Sequence, residues 1–240
     1  MSREGMNPVS EVYNMDCSEY MRTIPDKWFD LAIVDPPYFA EANLHYFHGG
    51  TVTIRGIRRK NYHRSCAWNV PSQKYYDELL RVSKNQIIWG INYFKFDNIP
   101  FGRVIWDKKR AGLIDSFSDA EIASCSLING VRMFRYRWDG MLQENMKKKE
   151  IKIHVTQKPV ALYKWLLDKY AKPGDKIFDS HLGSGSSRIA SYKMGFDFYA
   201  TEIDEIYFNA QEERFRRECH GEYRESSGQI ITQKQLFDES

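Results

Sequence analysis

The chain reads as an α/β domain built on a largely parallel sheet with helices on both faces, and three observations lead there. Short apolar runs that suit buried strands alternate with amphipathic stretches that suit helices along most of the 240 residues. One such run, Phe29-Asp30-Leu31-Ala32-Ile33-Val34, stops abruptly on Asp35-Pro36-Pro37-Tyr38. Another, Lys176 to Phe178, passes through a glycine-containing loop into a helix, and an acid, Glu202, closes the next strand.

In chain order, Val9 to Asp16 reads as a short strand ending on an acid, and Ser18 to Ile24 as a short helix capped by Ser18. After the buried strand Phe29 to Val34, the stretch from Phe39 to about Val70 shows no period, carries Gly49-Gly50 and is rich in basic residues. A loop this long inside a compact domain is functional or disordered. A helix is expected from about Ser72 to Val82, then strands at Gln86 to Gly90, Arg103 to Asp107 and Glu121 to Leu127. The basic segment Arg132 to Ile153 leads to a helix from Pro159 to Tyr170, ended by the turn Lys172-Pro173-Gly174-Asp175. The last unit is a strand (Lys176 to Phe178), a loop (Asp179 to Ser184), a helix (Gly185 to Met194) and a strand (Phe198 to Thr201). A charged helix from Glu205 to Arg217 follows, and then a polar tail expected to be disordered.

Composition excludes several classes. Hydrophobic residues make up 42% and charged residues 28%, the balance of a soluble globular protein. No apolar run approaches the roughly 20 residues of a membrane span, so no membrane association is expected. Met1-Ser2-Arg3-Glu4-Gly5 has no apolar signal core, which speaks against secretion and for a cytoplasmic protein. Cys17, Cys66, Cys125 and Cys219 show no paired spacing, so reduced thiols and no metal site are expected.

Net charge is only +3, but it is unevenly spread. From Ala42 to Tyr76 there is no acid, while Arg55, Arg58, Arg59, Lys60, Arg64 and Lys74 are all positive. From Arg132 to Ile153 seven basic residues, Arg135 and Arg137 among them, face three acids. With Tyr62, Trp68, Phe134, Tyr136 and Trp138 interleaved, both stretches suit a polyanion. A solvated basic face is the alternative for either stretch alone.

Two motifs carry chemistry. Pro36 and Pro37 lack an N–H and have fixed φ, so they hold neighbouring carbonyls in one direction beside the flat ring of Tyr38. A carboxylate, fixed acceptors and a stacking surface suit a planar group bearing an NH₂, such as a nucleobase. In the second motif, Asp179-Ser180-His181-Leu182-Gly183-Ser184-Gly185-Ser186, the glycines let backbone approach a ligand, and Glu202 stands 19 residues after Gly183 to take ribose hydroxyls. Arg188 occupies the place of a third glycine, which favours a single nucleoside over a pyrophosphate.

Taken together, these motifs resemble the amino-methyltransferases of DNA that use S-adenosylmethionine. The tetrapeptide precedes the glycine loop, an order that resembles the permuted β-class group. Asn14-Met15-Asp16-Cys17, Ile105-Trp106-Asp107-Lys108, Ala120-Glu121-Ile122 and His154-Val155-Thr156-Gln157-Lys158-Pro159 add to the resemblance, which covers most of Val9 to Arg217.

The resemblance implies a Rossmann-like, doubly wound, mostly parallel seven-stranded sheet in one domain spanning 1–240. It carries a loop insertion at 39–75 and a short target-recognition segment at 128–153. It implies Asp35, Pro36, Pro37 and Tyr38 as the grip on the target base, with Asp35 also beside the cofactor. Asp16 and Cys17 would lie by the cofactor's adenine, and Gln157 and Lys158 at its methionine end. Asp179, Gly183 and Gly185, with Ser184 and Ser186, would face its amino acid and sugar, and Glu202 its ribose. His181 stands where the family usually has Phe; it either covers the cofactor or is a satisfied loop histidine. Arg55, Arg58, Arg59, Lys60, Arg64, Arg135 and Arg137 are the expected phosphate contacts to double-stranded DNA.

The implied reaction is methyl transfer to the N6 amine of adenine, because a leading Asp favours adenine in this family and a leading Ser cytosine. N4-cytosine or RNA methylation and a catalytically silent nucleic-acid-binding subunit are the alternatives. A homodimer would lengthen the short recognition segment, and a partner nuclease of a restriction-modification system is left open.

Overall fold

The computed structural model describes residues 7–39, 69–110, 118–139, 142–224 and 230–232. Its first six strands are β1 (Ser10–Tyr13), β2 (Phe29–Val34), β3 (Ser83–Trp89), β4 (Gly102–Asp107), β5 (Ala120–Cys125) and β6 (Val131–Arg135). They are followed by β7 (Trp138–Asp139), β8 (Leu142–Gln143), β9 (Lys176–Asp179), β10 (Asp197–Thr201), β11 (Glu222–Arg224) and β12 (Ile230–Thr232). The centre of the molecule is an eight-stranded sheet in the order β1-β10-β9-β2-β3-β5-β4-β6. Within it only β5 runs against its neighbours, β3 and β4; the other pairings are parallel.

Sequence reading anticipates seven strands, and the eighth is β6, from the stretch assigned to target recognition. Val131, Arg132, Met133, Phe134 and Arg135 mix apolar and basic residues without a clean two-residue period, which on an exposed edge looks like charged surface. They pair in register with Arg103 to Asp107 of β4.

The helices are α1 (Cys17–Thr23), α2 (Gln73–Val82), α3 (Val160–Tyr170), α4 (Ser186–Met194) and α5 (Glu205–Phe215). α1 is capped by Asp16 and not by Ser18: the Asp16 carboxylate accepts the N–H groups of Ser18 at 2.7 Å and Glu19 at 3.2 Å. α2 runs directly into β3, which begins at Ser83, ahead of the expected Gln86. Its first residues are polar: Ser83 is buried, with its hydroxyl donating to the Leu79 carbonyl, and Lys84 is exposed and pairs with Asp30 of β2 at 2.6 Å. α5 leaves α-geometry after Phe215 and closes with a wider turn over Arg216–His220. Where the sequence suggests a disordered tail, β11 and β12 pair as antiparallel strands. The short strands β7 and β8 form a small ribbon.

Strand alternation sends successive side chains to opposite faces and so builds two cores. Leu31, Ile33, Ile87, Trp89 and Val104 pack against Leu162, Leu166 and Ile189 of α3 and α4. Ala32, Val34 and Ile88 pack on the other face against Tyr20 and Met21 of α1 and the Tyr75, Tyr76, Leu79, Val82 stripe of α2. Burial on both faces is why β2 and β3 read as nearly continuous apolar runs. Among the described residues, no helix is long and apolar enough to cross a membrane.

Candidate active site

β9 and β2 are neighbours at the centre of the sheet, with Leu31 opposite Ile177 and Ala32 opposite Phe178. From β9 the chain winds outward to β10, and from β2 it winds the other way to β3. A crevice opens at such a switch point, outside the carboxyl ends of the strands. Both sequence motifs leave those ends, and between them lies a cavity of about 320 Å³.

Asp35, Pro36, Pro37 and Tyr38 form one wall. The Tyr38 hydroxyl donates to Asp35 Oδ1 at 2.5 Å, and the Lys158 ammonium donates to Asp35 Oδ2. Lys158, almost wholly buried, also pairs with Glu121 Oε2 at 2.8 Å and reaches the Tyr38 hydroxyl at 3.2 Å. On its far side Glu121 holds Lys108 at 2.7 Å. Burial raises the Asp35 carboxyl above the usual range; Lys158 opposes that rise and Glu121 adds to it. Glu121 itself, between two ammonium groups, is held down at about 2.

Tyr38 is fixed from several sides. Tyr93, half-exposed on the turn Ile91–Tyr93 after β3, stacks on it at 5.0 Å and 14°, and Phe94 meets it edge-on. Gly90, at φ +70°, lets the ring rest against the backbone.

The loop after β9 forms the facing wall. Glu202 Oε2 accepts the Gly183 N–H at 2.7 Å, and its Oε1 accepts the Asp204 N–H at 3.0 Å, so the acid clamps the loop while still facing the cavity. Asp179 lies behind this wall. It is buried and accepts the His181 N–H at 3.1 Å and the Ser187 hydroxyl at 2.6 Å, and burial pushes its carboxyl up to about 7. Gly185, at φ +73°, starts α4 against Gln211, and Ser186 turns inward to the buried Arg214 guanidinium at 2.9 Å. Ser184 and Gly183 line the cavity; Asp179, Gly185 and Ser186 support it from outside.

Asp16, Cys17, Gln157 and His181 also line it. Burial pushes the Cys17 thiol up to about 12, which leaves it unreactive. His181 is bonded to the Ser180 hydroxyl at 2.8 Å, and burial lowers it to about 4, so it is neutral near pH 7. The Gln157 side-chain oxygen accepts the Ile153 N–H at 2.9 Å, and the Gln157 backbone carbonyl accepts the Trp138 indole N–H at 2.9 Å. Lys158, expected at a methionine end, lines the cavity with its ammonium committed to two carboxylates.

Sequence reasoning did not single out His154, Tyr75, Tyr163 or Glu121. His154 packs on Tyr207 at 4.1 Å beside Gly183, and burial lowers it to about 3. His154 and Glu121 belong to runs quoted for the resemblance, which was the available signal. Tyr75 and Tyr163 sit on helical apolar stripes and read as ordinary core.

Arg55, Arg58, Arg59, Lys60 and Arg64 lie outside the described residues, as do residues 40–68 of the insertion generally. Arg135 and Arg137 are exposed and away from the cavity; Arg135 approaches Asp107 at 3.4 Å.

The type II methyltransferase M.HinfI of Haemophilus influenzae is 23% identical over 259 residues, spanning 90% of this chain and 71% of that protein. TTHA0409 of Thermus thermophilus, crystallised with S-adenosyl-L-methionine, superimposes with a TM-score of 0.54 at 18% identity, covering 89% of this chain and 96% of that one. The cytosine-N4-specific PvuII DNA methyltransferase superimposes with a TM-score of 0.56 at 14% identity, covering 98% and 94%. At these identities the two structures speak to the shared α/β fold. The family model for N6/N4 methyltransferases, described as DNA methylase, matches residues 59–213. That span is well over half of the chain, and the protein therefore belongs to the N6/N4 DNA methylase family.

Proposed function

We propose that the chain transfers a methyl group from S-adenosylmethionine to the exocyclic N6 amine of adenine in double-stranded DNA. The observation that carries this reading is the Asp35 carboxylate, which opens on the same cavity as Gly183 and Glu202.

The cavity's groups suit that cofactor. Asp16 and Glu202 offer carboxylate acceptors on the side of the glycine loop. His154 and His181 are neutral, so neither opposes a cationic sulfonium. When bound, the sulfonium supplies an electrophilic methyl group.

The remaining work falls to side chains and backbone. The lone pair of an adenine amine is delocalised into the ring. Asp35 and the Pro36 carbonyl, accepting its two N–H bonds, draw the nitrogen toward tetrahedral geometry and free the lone pair. Preorganised acceptors and positioning supply much of the rate, with effective molarities on the order of 10⁵ M or higher. The base must leave the duplex stack first, at a cost of roughly a few kcal/mol. Tyr38 is the surface that receives it. The leading Asp35 favours adenine over cytosine through the family resemblance. Arg135 and Arg137, with Arg55, Arg58, Arg59, Lys60 and Arg64, are assigned to phosphates.

The test is incubation with unmethylated plasmid and labelled cofactor, read by modified-base sequencing. N6-methyladenine at a defined site is expected. N4-methylcytosine would reassign the base, and cofactor binding without transfer would leave a silent DNA-binding subunit.

A further inference from the structure

Glu121 takes no part in the reaction as written, yet it sits one ammonium away from the acceptor. Three charged groups meet here from three elements: Asp35 after β2, Glu121 on β5 and Lys158 just before α3. The Lys158 side chain is 2% exposed, against 13% for Asp35 and 21% for Glu121. The ammonium is thus fixed between two carboxylates.

A buried lysine paired with Asp35 alone would be a poor arrangement for an acceptor. It would compete as a donor and, through low-dielectric attraction, hold down the proton affinity of the carboxylate that must bind the target N–H groups. Glu121 divides that ammonium. Its charge offsets part of the Lys158 field at Asp35, and against the cost of burial Lys158 first and Lys108, at 2.7 Å, second hold Glu121 itself ionised. Among the described residues, the other groups facing Asp35 are Tyr38 on its own loop, Tyr75 on α2, Tyr163 on α3 and Asp179 on β9. None of these supplies a second cation.

Resting on the methyl-transfer reading above, we propose that Glu121 is a positioning residue that sets the ionisation and acceptor strength of Asp35 by sharing Lys158 with it. As the N–C bond forms and the S–C bond breaks, the nitrogen carries two hydrogens and a positive charge. One proton then passes to Asp35, its N–H electron pair returning to nitrogen as the lone pair, and leaves for water when the product departs. Asp35 performs that step best when its carboxylate is ionised but basic, the condition that the shared ammonium creates.

The experiment is a ¹³C-carboxyl NMR titration of aspartate-labelled protein, with the Asp35 signal assigned by its loss in Asp35→Asn. Glu121→Gln keeps a side chain of the same shape and leaves Lys158 to Asp35 alone. Its Asp35 midpoint should fall by about one pH unit. Lys158→Met should move the midpoint the opposite way, upward. Lys108→Met, at the outer end of the cluster, should raise it slightly and serves if Lys158→Met does not fold. The acid limb of the kcat profile should follow each midpoint, and in Glu121→Gln, a residue outside the cavity lining, cofactor affinity should stay unchanged within about twofold. Midpoints that stay put, or that move together in the Gln and Met variants, overturn the proposal. Opposed midpoints in a protein that methylates no DNA would instead uphold the shared ammonium and remove the methyl-transfer reading.

Discussion

Gly90 lies so close to Tyr38 that a Cβ at position 90 would overlap the tyrosine ring at Cε1. The contact joins the end of β3 to the loop after β2, and it sets where the stacking surface stands relative to Asp35. With φ at +70°, position 90 also disfavours any side chain on backbone grounds. Gly90→Ala should therefore displace the Tyr38 ring and cut turnover by roughly a hundredfold, the scale of an ångström-level misplacement. Cofactor affinity, measured calorimetrically, should stay near wild type because the glycine loop is untouched.

Tyr38 itself has two separable jobs. Tyr38→Phe keeps the ring and loses the hydroxyl bonded to Asp35, whereas Tyr38→Ala loses both. Base stacking is worth about 1–3 kcal/mol, so the Ala variant should bind target DNA weaker by that amount and the Phe variant should not. Fluorescence of 2-aminopurine at the target position reads the extruded base directly. Wild-type turnover in Tyr38→Ala would remove this residue from the account.

Asp35→Ala should leave cofactor binding nearly intact and lower turnover by roughly 10²–10⁴, the range of a lost general acid–base group. The fold should survive, because Lys158 retains Glu121 at 2.8 Å as its counter-ion. Single-turnover methyl transfer beside a calorimetric cofactor titration separates the two effects.

Asp179 makes stability depend on pH. Burial raises its native value from 3.8 to about 7, so the folded protein binds more protons than the unfolded chain between those limits. Stability from this group is fully present below pH 3.8 and is lost as pH rises toward 7. His154 and His181, lowered to about 3 and about 4, act in the opposite sense, because the unfolded chain takes up their protons first below its ordinary histidine value. The difference in Tm between Asp179→Asn and wild type cancels the histidine contribution. It should grow in favour of the variant from pH 4 to pH 7 and then level off.

Arg135, at the end of β6, and Arg137, in the connection to β7, are exposed and outside the cavity lining. If each neutralises one phosphate, Arg135→Gln and Arg137→Gln should each reduce the slope of log K against log salt by about 0.9. Filter binding across a salt series measures it; an unchanged slope would return both residues to solvated surface.

The limits of sequence reading follow from particular residues. β2 was delimited correctly because burial on both faces leaves a nearly continuous apolar run that proline ends. β6 escapes sequence reading because an exposed edge strand that mixes apolar and basic residues without a two-residue period looks like a charged loop. The α1 cap was misplaced by two residues, since Asp16 and Ser18 are both good caps and only geometry selects the one whose carboxylate reaches two N–H groups.

By itself, the amino-acid order determined the two walls of the cavity. Proline, tyrosine and glycine dictate backbone and ring placement over a few residues, and those constraints act wherever the segment lands. Only the folded molecule decided which charges meet. Lys158 is 123 residues from Asp35 along the chain, and nothing local to either predicts that Glu121 would be the third member. That outcome depends on β5 running antiparallel beside β3 and on the low dielectric at the sheet's carboxyl edge, where charges are stabilised mainly by one another.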